Sequence, residues 1–210
     1  MRLKKTIRLQ VLIAGLLLAL GAEMAHGDFT FSGAGEIPDG NLVGLMSIGT
    51  VSGLPSYPYR VLGMTVTLDV SGGFNGDLYA YLVGPDEATH VNLLGVAGGD
   101  FDHSGSGLQI TLSDAASQSY QSAAQVDGGV FTGTYRPVVS LGTFTGSAAN
   151  GTWRLYIEDQ SGGGGPATLN SWGLAISTAA VPEPDQVAAM GLLGLMGLVA
   201  AGRAASRRRH

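Results

Sequence analysis

The sequence predicts an all-β fold, an antiparallel β-sandwich, between two apolar segments at the ends of the chain. Two observations support this prediction. Short runs of β-forming residues alternate between apolar and polar side chains, and no stretch between residues 29 and 177 has a convincing helical period. Glycine, asparagine and aspartate separate these runs at intervals of roughly 8 to 12 residues, a spacing typical of sandwiches.

Six segments are predicted strands. In the first, Val66, Leu68 and Val70 fall on one face, which we expect to be buried. Trp153 and Trp172 alternate with apolar positions in the same way, so we expect both to anchor the core. The polar segment 114–124 does not predict a packed helix. The six strands are residues 61–70, 77–83, 91–94, 108–112, 152–158 and 171–177.

Charge is distributed unevenly along the chain. Residues 28–180 carry three arginines, no lysine and thirteen carboxylates, a net charge of −10, whereas both ends of the chain are basic. An acidic, lysine-free domain repels phosphate backbones, so we expect no nucleic-acid partner. The chain has no cysteine, which excludes disulfides and thiolate sites. Its core or a bound ion must therefore hold the fold together.

The N-terminus has the three parts of a signal peptide. A basic start is followed by an apolar run over residues 11–22 and by the small residues Ala25 and Gly27. The run is short compared with the roughly 20 residues of a membrane span. We therefore expect an exported protein whose signal helix, residues 1–27, is cleaved after Gly27 to leave Asp28 first. An uncleaved anchor is the alternative.

The C-terminus, residues 181–210, contains a proline-rich motif, an uncharged apolar run over 187–202 and a basic tail. The motif is Val181, Pro182, Glu183 and Pro184. In this order the three parts closely resemble the PEP-CTERM sorting signal. The resemblance implies processing by an exosortase-type membrane protease, in Gram-negative bacteria that make exopolysaccharide.

The apolar run predicts a transient transmembrane helix whose arginines stay in the cytoplasm. We therefore expect a membrane-anchored precursor and a product at the cell surface or outside the cell. A permanent anchor that is never cut is the alternative.

Several short motifs in residues 28–180 occur in the order found in one family. Three are distinctive together: Gly76-Asp77-Leu78, Gly151-Thr152-Trp153 and Ser171-Trp172-Gly173-Leu174. They resemble the P domain, or P/Homo B module, which lies beside subtilisin-like proprotein convertases and occurs in many secreted bacterial proteins. The resemblance implies a jelly-roll-like β-sandwich of about eight or nine strands. P domains usually accompany a catalytic domain, which this sequence lacks, so protease activity does not carry over.

The domain sequence has no recognisable catalytic motif. It contains no Gly-x-Ser-x-Gly element, and its two histidines, His90 and His103, are expected in solvated loops. Two histidines without cysteine do not favour a catalytic zinc site. We therefore predict that the protein is not an enzyme. A carboxylate-dependent hydrolase of the cell envelope is the alternative.

One loop has the oxygen spacing with which a calcium loop begins. Asp100, Asp102 and Ser104 alternate before a glycine, although Thr111 replaces the acid that closes such loops. The P-domain resemblance implies structural calcium in some members, to which Asp77, Asp114 and Glu158 would contribute from other strands. The sequence therefore makes Asp77, Asp100, Asp102 and Ser104 candidate calcium ligands. The alternative is a polar loop whose aspartates bond their own backbone.

Export without a catalytic motif predicts a non-catalytic surface or extracellular-matrix module with a binding or structural role. Exopolysaccharide or envelope proteins would be its partners. A carbohydrate-binding module is an alternative, because jelly rolls include lectin domains. Tyr79 and Tyr81 share the strand face opposite Leu78, Ala80 and Leu82, and they are the candidate ligand surface. They face solvent in this prediction, unless the faces are reversed and the second sheet covers them.

Overall fold

The computed structural model describes residues 23–95 and 104–181. Within these ranges the chain forms nine strands and three short 3₁₀ segments, and no α-helix. The 3₁₀ segments are Asn75–Asp77, Tyr120–Ser122 and Leu141–Phe144. The strands, β1 to β9 in chain order, are Met24–Ile37, Asn41–Val51, Tyr59–Gly72, Leu78–Val83, His90–Leu94, Leu108–Leu112, Phe131–Tyr135, Gly151–Asp159 and Ala167–Ala180.

The strands form two sheets that enclose one core. The five-stranded sheet has the order β1-β9-β3-β6-β7, and the four-stranded sheet has the order β2-β8-β4-β5. Paired strands run antiparallel except β6 and β7, which are parallel. The predicted β-sandwich is confirmed, and the jelly-roll connectivity implied by the resemblance stays a prediction.

Both sheets bury alternate side chains, as the period-two pattern predicts. Val66, Leu68 and Val70 of β3 are at most 2% exposed, and they belong to the same core as the buried row of β4 in the other sheet. Leu78, Ala80 and Leu82 form that second row and are fully buried. Because the strand period is two, the side chains between them point away from the core.

The two tryptophans occupy the centre of the sandwich. Trp153 and Trp172 are fully buried, which confirms their predicted role as core anchors. Trp153 Nε1 donates to the carbonyl oxygen of Ala149 at 2.9 Å, and Trp172 Nε1 donates to Ser47 Oγ at 2.9 Å. The second hydrogen bond joins the two sheets, because Trp172 lies in β9 and Ser47 in β2.

The first strand begins inside the predicted signal peptide. The residues from Met24 to Gly27 pair with the stretch of β9 from Ala179 back to Ile176. Cleavage after Gly27 would therefore shorten β1 while leaving its remaining residues paired. The apolar run of the predicted signal helix and the predicted transmembrane helix over 187–202 both lie outside the described residues. No helix among residues 23–95 and 104–181 is long and apolar enough to cross a membrane.

Candidate functional site

The outer face of the four-stranded sheet carries the predicted tyrosine pair. Tyr79 and Tyr81 lie in β4 between residues that point into the core, so their rings stand on the outer face and are half-buried. The sequence left two orientations open, and the structure selects the solvent-facing one. These rings line an open cavity of about 440 Å³, here called the tyrosine cleft, whose lining residues are Tyr79, Tyr81, Val83, Glu87, His90 and Asn92.

Strand register brings a third tyrosine to this face. Tyr81 of β4 lies beside Tyr156 of β8 on one side and Asn92 of β5 on the other. The Tyr81 and Tyr156 rings are stacked, with centroids 4.7 Å apart and an interplanar angle of 4°. Tyr79 is tilted by 55° to Tyr81 at a centroid distance of 6.1 Å. Tyr156 therefore covers one face of the Tyr81 ring, while Tyr81 itself contributes to the lining of the cleft.

One lining residue of the cleft, Glu87, forms an ion pair with Arg154. Arg154 Nη2 donates to Glu87 Oε1 at 2.8 Å, and the guanidinium is the better shielded partner, with side-chain exposures of 24% for Arg154 and 70% for Glu87. Glu87 has a φ of 59°, in the left-handed region that non-glycine residues seldom adopt. Position 87 is therefore a glutamate although glycine would adopt this left-handed backbone conformation with less strain.

Asp86 fixes the loop that presents Glu87. Its carboxylate accepts hydrogen bonds from Thr89 Oγ1 at 2.6 Å and from the backbone N–H groups of Thr89 and Ala88 at 2.8 and 3.1 Å. These bonds, led by the one from the Thr89 hydroxyl, hold the pKa of Asp86 below its usual value. The loop is therefore pinned from inside by an Asx-type turn.

The tyrosine cleft presents neutral hydroxyl groups. Burial raises the pKa of Tyr81, and the neighbouring Tyr156 and Glu158 raise it further. The Tyr81 phenol therefore stays protonated over the physiological pH range and can both donate and accept a hydrogen bond. Neither this hydroxyl nor the Asn92 side chain bonds another residue within the described part of the chain.

A second group of polar residues lies at one end of the sandwich. Asp159 ends β8 and pairs with Leu78 and Asn41 in the two neighbouring strands, which brings it near Asp77 and Asp39. Burial, partly offset by the hydrogen bond from Ser161 N–H, raises the pKa of Asp159, and the Asp77 and Asp39 charges raise it further. Asp159 is fully buried, and its Oδ2 has no hydrogen-bond partner in the described residues.

The predicted calcium ligands are only partly described. Asp100 and Asp102 lie outside the described residues, as does His103. The backbone after Ser104 reaches the turn that contains Asp77, because the Asn75 N–H donates to the Gly105 carbonyl oxygen at 3.0 Å. No group of three or more histidine, aspartate or glutamate side chains in the described ranges is arranged to hold a metal ion. The calcium site stays a prediction.

Asn75 gives this contact a structural role. Its side chain accepts from the Gly107 N–H at 2.9 Å, and its amide donates to the Gly107 carbonyl oxygen at 3.0 Å and to Gln125 Oε1 at 2.8 Å. Asn75 is 1% exposed, so these bonds satisfy a buried amide. The start of β6 is thereby attached to the turn before β4.

Only the first residue of the predicted sorting motif is described. The Val181 N–H donates to the Pro58 carbonyl oxygen at 3.0 Å, which continues the pairing of β3 with β9 by one residue. Pro182, Glu183 and Pro184 lie outside the described residues.

Sequence reasoning missed most of the cleft. Tyr156 had a usable signal, because it alternates with the core residues Trp153, Leu155 and Ile157 and must therefore lie on the outer face of β8. His90 was predicted in a solvated loop. The structure instead makes it the exposed first residue of β5, lining the cleft. No local signal places Asn92 or Glu87 beside Tyr81.

The cleft does not hold a pair of carboxylates suited to hydrolysis. Among its lining residues Glu87 is the one acid, and it is engaged by Arg154. Two carboxyl groups flanking a scissile bond are needed by most glycoside hydrolases. The hydrolase alternative therefore finds no support at this cavity.

Comparison with known proteins gives one family and several distant structures. The family model of the proprotein convertase P-domain matches residues 62–176. No curated protein matches the chain. The chain is similar to the Aeromonas sobria serine protease in the crystal structure of its complex with the chaperone ORF2, with 19% identity and a TM-score of 0.49 over 79% of this chain and 29% of that one.

Two further solved structures resemble the chain. The A. sobria serine protease alone is 18% identical with a TM-score of 0.47, over 77% of this chain and 29% of that one. FlhE is 12% identical with a TM-score of 0.40, over 74% of this chain and 97% of that one. The chain thus spans less than a third of the protease chains, and at these scores the likeness supports no statement about activity.

The family match supports an assignment that these structural similarities do not. It covers more than half of the chain, including the three motifs that end at Leu78, Trp153 and Leu174. The chain therefore belongs to the proprotein convertase P-domain family.

Proposed function

We propose that this protein is an exported, non-catalytic binding module that acts at the cell surface or in the extracellular matrix through its tyrosine cleft. The P domain is a non-catalytic β-domain, which agrees with the lack of a hydrolytic carboxylate pair at the cavity. The observation that carries the proposal is the stacked Tyr81–Tyr156 pair beside an open cavity on an outer sheet face. Aromatic rings with a few polar groups around them are typical of ligand sites.

The ends of the sequence support the cellular part of the proposal. The basic and apolar N-terminal segment directs export. Residues 181–210 would then hold the precursor in the membrane until an exosortase-type protease cuts near the motif from Val181 to Pro184. The released domain, with its acidic residues and no lysine, would enter the envelope or the exopolysaccharide outside the cell.

Processing is tested by intact mass and location of the full chain, expressed in an exosortase-containing host and in the same host without the protease. We expect an extracellular product without the arginine tail in the first host and a membrane-bound precursor in the second. A secreted product that keeps its arginine tail in both hosts would contradict the proposal.

The role of the cleft is tested with the mature protein purified from culture. Its binding to washed envelope and matrix material of the producing cells is compared for the wild type, Tyr81→Ala and Tyr59→Ala. Tyr59 is the matched control, because it lies in β3 of the other sheet. We expect Tyr81→Ala alone to lose binding. Equal binding by all three proteins would remove the cleft from the proposal.

A further inference from the structure

We infer that the tyrosine cleft binds an uncharged carbohydrate chain, with the apolar face of one sugar ring against the open face of Tyr81. This inference rests on the proposed function and adds the class of ligand. It is carried by three features of the cleft: its aromatic walls, its free polar groups and its balance of charge.

The aromatic walls suit a flat ligand that is apolar on its faces and polar around its rim. Tyr156 covers one face of the Tyr81 ring, so a ligand can stack only on the other. Tyr79 is inclined at 55° to it and forms a second wall. A pyranose presents C–H groups on its faces and hydroxyls at its edge, which matches this arrangement of rings. The volume of about 440 Å³ lies in the range typical of small-ligand sites.

The free polar groups surround this stacking position. The Asn92 amide offers donors and an acceptor, and the Tyr79 and Tyr81 hydroxyls can each do both. None of the three makes a hydrogen bond to another side chain in the described part of the protein. Asn92 lies directly beside Tyr81 in the β4–β5 register, so its amide can reach the rim of a ring that stacks on Tyr81.

The charge of the cleft disfavours anionic sugars. Arg154 is already paired with Glu87, a lining residue of the cleft, at 2.8 Å. Glu158 lies close enough to Tyr81 to raise the pKa of its phenol. A uronate or sulfate would therefore meet the carboxylates of Glu87 and Glu158, while the arginine beside them is already paired. An uncharged carbohydrate chain meets no such electrostatic repulsion in the cleft.

Tyr156 acts as a positioning residue in this arrangement. It does not line the cleft, yet its ring lies parallel to Tyr81 and restricts the rotation of that ring. We expect Tyr156→Phe to bind like the wild type, because the stacking surface is kept. Tyr156→Ala should weaken binding several-fold through Tyr81, without removing a ligand contact.

The test is a glycan array followed by calorimetric titration of the mature protein with neutral oligosaccharides, uronate-containing oligosaccharides and unstructured peptides. We expect binding to neutral glycans only. Because Tyr81→Ala removes the stacking ring, it should weaken binding about two- to tenfold. Asn92→Ala, a milder change that keeps the aromatic walls, should weaken it measurably, and Tyr59→Ala should leave it unchanged. Circular dichroism identifies any variant that fails to fold.

The outcomes separate this inference from the proposed function. Binding to uronate glycans alone, or neutral-glycan binding that survives both Tyr81→Ala and Asn92→Ala, overturns the inference. If no glycan binds but envelope material is still retained through Tyr81, the carbohydrate inference fails and the proposed function stands. If the envelope material is also retained equally by wild type and Tyr81→Ala, the role of the cleft fails as well.

Discussion

Asp159 is a charged residue in a place that favours its neutral form. Its carboxyl group is fully buried, Oδ2 receives no hydrogen bond from a described residue, and no arginine among these residues forms an ion pair with it. Burial raises its pKa, and repulsion from Asp77 and Asp39 adds to this. A carboxyl group whose pKa is higher in the folded state than in the unfolded state binds its proton more tightly when folded, so its contribution to stability falls as pH rises through the folded pKa.

Asp159→Asn should therefore raise the melting temperature at pH 7. Asparagine keeps an acceptor for the Ser161 N–H and removes the buried charge. Each kcal/mol gained would raise the midpoint by about 2–4 °C. The advantage should shrink as the pH is lowered from 7 toward the usual aspartate pKa near 4, where the wild-type carboxyl is also protonated.

Thermal melts of both proteins between pH 4 and 7, with a chelator present, measure this difference. Asp69→Asn, on the outer side of β3, is the control and should show no such trend. A lower midpoint for Asp159→Asn at pH 7 would mean that the charge is compensated in a way that the described residues do not provide.

The Ser47 hydroxyl accepts a hydrogen bond from Nε1, the only polar side-chain atom of the buried Trp172. Ser47→Ala would leave Trp172 Nε1 without an acceptor between the two sheets. An unsatisfied buried donor costs about 1–3 kcal/mol, so we expect chemical denaturation to show a loss of that size. Ser71→Ala, at an exposed serine of β3, should stay within about 0.5 kcal/mol of the wild type. Equal stability of the two variants would show that the indole finds another partner.

At the scale of single residues, the sequence supports the Tyr79–Tyr81 pair because alternation in one strand is a local property. It cannot supply Tyr156 and Asn92 as their neighbours, since that depends on which strands flank β4 and in which register. The same holds for the Asp39–Asp77–Asp159 group. Its members come from three separate segments of the sequence, and the pairing of β2, β8 and β4 brings them together.

The strands that were predicted are those with an apolar, alternating face. The strand β6 has the predicted bounds, while β9 extends beyond the predicted segment 171–177 at both ends. The strand β1 was missed although Phe29, Phe31 and Ile37 lie on its inward face and alternate with polar residues. Glycines occupy three other inward positions, Gly27, Gly33 and Gly35, and they weaken the apolar pattern. The backbone of β1 pairs with β9, and such pairing leaves little trace in composition.

Close packing of β1 on β2 depends on a glycine that has no special backbone conformation. A Cβ atom at Gly49 of β2 would lie 2.5 Å from the Phe31 ring of β1. The Phe31 ring also packs against the Trp172 ring, with the two centroids 4.5 Å apart. Gly49→Ala should therefore displace Phe31 and destabilise the domain by about 1–3 kcal/mol, as overpacking does.

Gly63→Ala is the matched control for this substitution. Gly63 also lies inside a strand, and a Cβ atom there meets nothing within 4 Å. We expect its stability in urea unfolding to equal that of the wild type or exceed it slightly, because alanine lowers the entropy of the unfolded chain. Equal losses in both variants would indicate a backbone effect and would contradict the role assigned to Phe31.

The whole molecule is one sandwich whose two faces differ. The four-stranded sheet exposes aromatic side chains beside a cavity. The five-stranded sheet contains β1, which begins next to the predicted N-terminal cleavage site, and β9, which ends next to the predicted C-terminal one. Both termini of the described chain therefore lie on the five-stranded sheet, away from the tyrosine cleft, so processing at either end leaves the cleft intact.

A chain that begins at Asp28 tests this separation. It lacks the residues from Met24 to Gly27, which pair with one end of β9 at the edge of the sheet. We expect a single cooperative unfolding transition with a midpoint only a few degrees lower, and unchanged binding at the cleft. Scanning calorimetry measures the first and the envelope-binding assay the second. Loss of cooperative unfolding would mean that Gly27 is not the end of the signal peptide.

The most direct test of the account is amide chemical-shift mapping of the mature protein during titration with a neutral oligosaccharide selected on the array. We expect shifts confined to β4, β5 and β8 around Tyr81, Asn92 and Tyr156, with the amides of the five-stranded sheet unaffected. Shifts centred on the outer face of β3 and β9, or on the loops at the ends of the sandwich, would contradict it.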